Sequence, residues 1–340
     1  MRVVIAPDSF KGSITARAAA RAIAAGWRSV RPDDEVLELP QADGGEGTVD
    51  AVEAATPGAQ RRSAGTVTGP DGRPVTGGWL ELPDGTAVVE LAQSAGLALM
   101  RELDPRGATT RGLGEVLAAA LDAGARNVVI GLGGSASTDG GAGALDALGD
   151  RRPPGTVTLL TDVTAPLLGP AGAAAVFGPQ KGASPAEIEF LEQRMRDWAD
   201  RFPDVDPRTP GAGAAGGTAF GFLAAWGAHL EPGAAAIADL TGLTTALTDA
   251  DVLLTGEGRF DATSLTGKVV GHALRAAQAA TVDRVVVIAG RLSIDVPLSP
   301  SGATASFSLE ALAGSTAAAL ADPVAWLTRA GAEAAAQLEA

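Results

Sequence analysis

Hydrophobic and polar positions along the 340-residue chain follow two periods in turn. Runs such as Val3–Ala6 and Val36–Leu39 are short and largely apolar, the pattern of strands in a parallel sheet. Between them Ala19, Ala20, Ile23, Trp27 and Val30 recur at helical spacing, which predicts a helix from about Thr15 to Val30 with Thr15 as its N-cap. The same signals predict a helix running through Ala55, another at Arg111–Ala123, and strands at Asn127–Leu132 and Thr156–Leu160. Further on they predict strands at Val252–Thr255 and Val285–Ala289, with a helix from Thr266 between them. "SPAEIEF" opens a long helix: Ser184 caps it, Pro185 takes the first helical position and Glu187 completes a capping box. "GAGAAGGTAFGFLAAWGAHL" predicts a glycine-loosened helix entered through a loop.

Residues 61–91 break this rhythm. They alternate and are punctuated by "GPDG" and "LPDG", which are hairpin signals. Strands alternating with helices predict an α/β fold with a parallel sheet. The hairpin block predicts a second domain interrupting the first. The expected division gives one α/β domain to residues 1–60 and 250–340, and an inserted α/β domain with hairpins to 61–249.

Composition narrows the function classes. Hydrophobic residues make up 46% and charged residues 19%, as in soluble globular proteins. The net charge of −14 argues against a nucleic-acid partner, whose footprint is a basic patch. No apolar run reaches membrane-spanning length, so no membrane partner is expected. The first residues lack the apolar core of a signal peptide, and a cytoplasmic location is expected. Without cysteine there are no disulfides, thiolate metal sites or thiol nucleophiles. Only two histidines are present, His229 and His272, each read as a structural residue on an Ala-rich helix, so a zinc site is not expected.

The basic residues are unevenly divided. Of 26 Lys and Arg, all but Lys11, Lys181 and Lys268 are arginines, and each lysine touches a glycine, in "FKGS", "QKGA" and "TGKV". Lysine is a compact point charge on a flexible stem, whereas arginine is a planar fork. These three positions therefore read as groups that approach a bound anion. Ligands of open parallel sheets lie beyond the carboxyl ends of the strands. The segments following the expected strands are "PDSFKGS", "PQADGGEGT", "GLGGSASTDGG", "TDVTAP", "TGEGRFD" and "AGR", and five of the six carry Asp or Glu. Two carboxylates 4 Å apart repel by about 1 kcal/mol in water and about 4 kcal/mol at the effective dielectric of a protein cleft. Five such loops converging on one sheet edge predict a polyanion site bridged by lysines and by Mg²⁺, which takes hard oxygen ligands and substrate phosphates.

Standard nucleotide motifs do not account for this pattern. Ala262 stands where a P-loop ending at Lys268 would need glycine. Gly211-x-Gly213-x-x-Gly216 follows no strand. Gly131-x-Gly133-x-x-Ala136 does follow one, with Asp162 further on, and keeps a nicotinamide-dependent hydroxy-acid dehydrogenase as a competing reading.

"APDSFKGS", "ADGGEGT", "GLGGSASTDGGAG", "TDVTAPLLGP", "FGPQKGA" and "LTGEGRFDATSLTGK", in that order, resemble the signature blocks of the bacterial glycerate kinase family of the glycerate 2-kinase type. The resemblance spans the chain and takes in all three lysines. It implies two different α/β domains, one flavodoxin-like with a parallel sheet and an inserted one with a mixed sheet. It also implies transfer of the γ-phosphoryl of ATP to D-glycerate with Mg²⁺, giving 2-phosphoglycerate. On that resemblance Lys11, Lys181 and Lys268 neutralise phosphates and the glycerate carboxylate. Asp43, Glu46, Asp162 and Glu257 are candidates for Mg²⁺, and Asp43, Asp139 or Asp162 for the base that takes the substrate hydroxyl proton. Gly133, Gly134, Ser135 and Ser137 offer donors to phosphate, with Gly44 and Gly45 turning the chain beside them. Asp8 and Ser9 orient Lys11, Arg259 contacts substrate or pairs with Glu257, and Glu46 and Asp261 double as helix caps. A homo-oligomer is compatible with this reading. "DRRPPG" and the 291–306 segment look abbreviated against the family, which leaves a non-catalytic glycerate- and ATP-binding relative as a third reading.

Overall fold

The computed structural model describes residues 1–266, 268–294 and 304–337. The abbreviated 291–306 segment lies outside the described residues over 295–303, as does Gly267 of "TGKV". The β-branched runs form strands, in chain order β1 (Arg2–Ile5), β2 (Glu35–Glu38), β3 (Gln60–Thr68), β4 (Pro74–Glu81), β5 (Thr86–Glu90), β6 (Asn127–Gly131) and β7 (Val157–Leu160). They are followed by β8 (His229–Glu231), β9 (Val252–Phe260), β10 (Arg284–Leu292) and β11 (Thr304–Ser308).

These strands build two sheets. The first has the order β11-β10-β9-β1-β2 with every pair parallel. Counted within that sheet the order is 2-1-3-4-5, the flavodoxin-like winding. The second has the order β3-β4-β5-β6-β7-β8 and is mixed. The two turns expected at "GPDG" and "LPDG" join β3, β4 and β5 antiparallel, and β5 through β8 pair in parallel. The α/β reading with one parallel and one mixed sheet therefore holds.

The chain divides into two units, Met1–Ala42 with Asp50–Pro57 and Ala234–Ala340, and Asp43–Val49 with Gly58–Gly233. The division expected at 60/61 and 249/250 differs in two places. Helices Gly233–Leu240 and Leu243–Leu247 lie on the first unit, because Ala238, Leu243, Ala246 and Leu247 share a core with Val4, Leu253 and Ala273. The Asp43–Val49 loop belongs to the second, through its contacts with β5, β6 and β7 described below.

Local signals are met closely in the helices. Thr15 caps Ala16–Val30 by accepting from the Ala18 N–H at 3.3 Å. The capping box on Pro185–Ala199 is complete, with Ser184 and Glu187 bonding reciprocally. Three expectations need correction. β9 and β10 run on to Phe260 and Leu292, because each pairs with the other through the glycines that read as loop signals. The glycine-loosened helix is entered through a loop as expected, with Gly216 and Gly217 left-handed before Thr218, but it ends at Trp226 short of "AHL". His229 lies on β8 rather than on a helix. The short connection at "DRRPPG" is held by Arg151, whose Nε and guanidinium nitrogen donate to Asp122 at 3.0 and 3.2 Å. Among the described residues no helix is long and apolar enough to cross a membrane.

Candidate active site

The acidic loops do not gather on one sheet edge as their sequence suggested. The hairpin block starts a separate sheet, so the loops divide between the carboxyl ends of two sheets, and the candidate residues fall into two groups, one on each unit.

The first unit holds Asp8, Ser9, Lys11, Glu257, Arg259, Asp261 and Lys268. Beyond β1, Asp8 Oδ1 accepts from the Ser9 N–H at 2.6 Å. Phe10 and Ile14 then bridge and Gly12 turns left-handed, so that Lys11 stands exposed on a tight turn. Gly258 of β9 lies against this turn, where a Cβ would come within 3.3 Å of the Lys11 nitrogen. Glu257 is only 9% exposed, and its Oε1 is buried without a hydrogen-bond partner. Burial pushes its carboxyl above the usual range, opposed by a hydrogen bond with Ser264 and by the charges of Lys268 and Lys11. Arg259 pairs with Asp261 at 3.6 Å and donates to Ser293 at 3.2 Å, so the expected pairing with Glu257 is not formed. Asp261 is a cap: it accepts from the Thr263 N–H at 2.9 Å at the head of Ala262–Leu265. Lys268 is exposed in front of helix Val269–Ala279, its Nζ donating to Thr263 Oγ1 at 3.1 Å.

In the second unit the glycine-rich loops interlock. Asp43 Oδ1 accepts from the Gly45 N–H at 3.1 Å, closing a tight turn, and the Gly133 N–H donates to the Gly44 carbonyl at 3.1 Å. A Cβ on Gly133 would lie 2.4 Å from the Gly45 Cα, one on Gly131 2.6 Å from the Gly44 oxygen, and one on Gly44 2.8 Å from Leu160 Cβ at the end of β7. These glycines serve loop-on-loop packing. That arrangement removes the dinucleotide reading of Gly131-x-Gly133-x-x-Ala136, since the backbone faces a neighbouring loop and the next helix begins only at Ala142. Asp162 is half-buried two residues past β7. Glu46 is exposed beside Gly134. It does not cap the helix Thr48–Ala55. Glu90, at the end of β5 and 5% exposed, accepts instead from the Gly47 and Val49 N–H groups at 3.2 and 3.3 Å.

Lys181 contrasts with the other two lysines. It is 2% exposed, and its Nζ donates to Ser135 Oγ at 2.9 Å and to the Ser137 carbonyl. Burial pulls its pKa down to about 7, against the charge of Asp139. Asp139 is occupied structurally: it accepts from the Thr110 N–H and hydroxyl, both at 2.8 Å, and from the N–H groups of Gly141 and Gly143. A cavity of about 290 Å³ brings Gly133, Gly134, Ser135 and Lys181 together with Thr161 and Gln180. Ser137 Oγ is buried beside this region without a partner.

Sequence reasoning missed Glu90, Thr161 and Gln180. A carboxylate closing the buried run "TAVVE" is a legible signal for Glu90, because a buried acid at a strand end needs donors. For a divalent cation, no cluster of three or more His, Asp or Glu side chains exists among the described residues. Mg²⁺ needs only one or two carboxylates plus substrate oxygens, and the unpartnered, buried Glu257 Oε1 fits one such ligand.

Comparison with known proteins finds relatives along the whole chain. Residues 3–154 and 151–339 match the Glycerate kinase family. The glycerate 2-kinase of Escherichia coli K12 is 40% identical over 306 residues, covering 79% of this chain and 80% of that protein. The glycerate kinase of Bacillus subtilis 168 is 40% identical over 332 residues, covering 87% and 86%. A crystal structure assigned as glycerate kinase 2 of Salmonella typhimurium LT2 superposes with a TM-score of 0.83 at 34% identity, covering 100% of this chain and 98% of that one. The chain belongs to the glycerate kinase family.

Proposed function

We propose that the protein transfers the γ-phosphoryl group of ATP to D-glycerate and releases 2-phosphoglycerate. The observation that carries this reading is the relation to the Escherichia coli glycerate 2-kinase over four-fifths of both chains. Phosphoryl transfer asks a protein mainly for positioning and charge neutralisation, and the side chains are suited to both.

Lys11 and Lys268, exposed point charges at the carboxyl ends of β1 and β9, neutralise phosphate oxygens. Asp43, Glu46, Asp162 and Glu257 are the groups from which Mg²⁺ ligands are drawn, Glu257 through its unpartnered oxygen. Bound Mg²⁺ supplies charge neutralisation of the nucleotide phosphates. Of the three candidate bases, Asp139 has its oxygens taken up by four donors. Asp43 is held by a single turn bond to Gly45 and is assigned as the group that accepts the substrate hydroxyl proton. Ser135 and the backbone of Gly133 and Gly134 orient the acceptor.

The test is phosphorus NMR on purified protein with Mg-ATP and D-glycerate. Growth of ADP and 2-phosphoglycerate resonances is the expected result. The 3-phospho isomer, or binding without turnover, would overturn it. Oxidation of D-glycerate with NAD in place of ATP consumption would restore the dehydrogenase reading.

A further inference from the structure

The second unit holds a small cavity that the phosphates do not need. It measures about 290 Å³, near the lower end for ligand pockets. Leu97, Leu132, Val163 and Phe177 give it apolar walls, and no carboxylate lines it. Its one charged side chain is Lys181, 2% exposed, alongside Ser135, 8% exposed. Lys181 Nζ spends two of its three donors on Ser135 Oγ and the Ser137 carbonyl.

This donor set suits one negative charge. A Mg-nucleotide tail carries several charges and a hydrated metal, and needs more than one cation and at least one carboxylate. A monocarboxylate needs a single compensating ammonium, with a hydroxyl to share. We propose that this cavity receives the carboxylate of the hydroxy-acid substrate on Lys181 and Ser135. The inference rests on the glycerate kinase reading and assigns to its acceptor substrate a subsite separate from the nucleotide phosphates.

Entry of the carboxylate is expected to draw a proton onto Lys181. In the empty cavity burial brings the Lys181 pKa down to about 7, so the neutral form is populated near neutral pH. Asp139 is the charged group that acts on it, and the Asp139 carboxylate is fixed by Thr110, Gly141 and Gly143. From the adjoining helix Pro185–Ala199, Arg194 also bears on Asp139. An arriving carboxylate adds a second negative charge and favours the ammonium form.

Calorimetric titration of D-glycerate into the intact protein, in two buffers of different ionisation enthalpy, tests this. Uptake of a fraction of a proton per site is expected near pH 7, decreasing at lower pH. Lys181→Met should abolish the uptake and raise the KM for D-glycerate about tenfold or more, with ADP affinity unchanged. Lys181→Arg, which stays charged, should bind without uptake. An unchanged KM for D-glycerate in Lys181→Met, or a loss of ADP affinity in place of glycerate affinity, would each overturn the proposal. Phosphorylation of D-glycerate by Lys181→Met with an unchanged KM would sink this inference alone, whereas failure of the unaltered protein to bind or phosphorylate D-glycerate would sink the glycerate kinase reading beneath it.

Discussion

The lysines of the two units sit in opposite environments. Lys11 and Lys268 are exposed at strand ends of the parallel sheet, while Lys181 is buried in the mixed-sheet unit and bonded to protein oxygens. An exposed ammonium stays charged and mobile, which suits phosphate groups that arrive with their own hydration and counterion. A buried ammonium is costly until a matching anion enters, which suits selection of a small carboxylate. Residues that look alike in the sequence thus differ in exposure and in bonding.

The largest expected effect comes from breaking the exposed side of this contrast. Lys11→Arg keeps the charge but replaces the point by a fork on a tight turn. It should lower kcat about a hundred- to a thousandfold with the circular dichroism and melting temperature unchanged. Near-normal turnover would show that any cation suffices there. On the buried side, Lys181→Met should stabilise the fold at pH 7 by about 2 kcal/mol, read by urea unfolding, after allowing for the bonds lost at Ser135 and Ser137. The sign follows from linkage. The folded pKa of about 7 lies below the ordinary 10.5, so between these values the unfolded chain holds a proton that the folded chain lacks. Wild-type stability then rises with pH across that window, and the advantage of Met fades towards pH 10. An advantage independent of pH would contradict the burial cost of Lys181. Smaller again is Glu90→Gln. It weakens the acceptor for Gly47 and Val49, should cost about 1 kcal/mol in stability and should lower kcat several-fold with little change in the KM for ATP.

The contrast also marks what was legible in the chain. Caps and hairpins were readable because a few adjacent residues decide them: Thr15, Ser184 with Glu187, and the two PDG turns. The rarity of lysine singled out three positions, and the structure sets them in two different environments. Their environments were not readable, since burial of Lys181 depends on Ser135 and Ser137, some 45 residues away. The glycines of Gly131–Gly133, which formally match a dinucleotide fingerprint, were ambiguous for a related reason. A glycine required by a neighbouring backbone and a glycine required by a phosphate leave the same mark in a sequence. Strand ends were misplaced at Thr255 and Ala289 because partner pairing, not local preference, carries β9 and β10 through their glycines. The cap expected of Glu46 is likewise supplied by Glu90, 41 to 43 positions from the N–H groups it accepts.

The division of labour between the lysines is tested most directly by a crossed pair of Michaelis constants. Lys181→Met and Lys268→Met are each assayed against D-glycerate at saturating ATP and against ATP at saturating D-glycerate. Lys181→Met should raise only the KM for D-glycerate, and Lys268→Met only that for ATP. If both substitutions raise the same constant, or the two effects are exchanged, the buried lysine does not select the carboxylate.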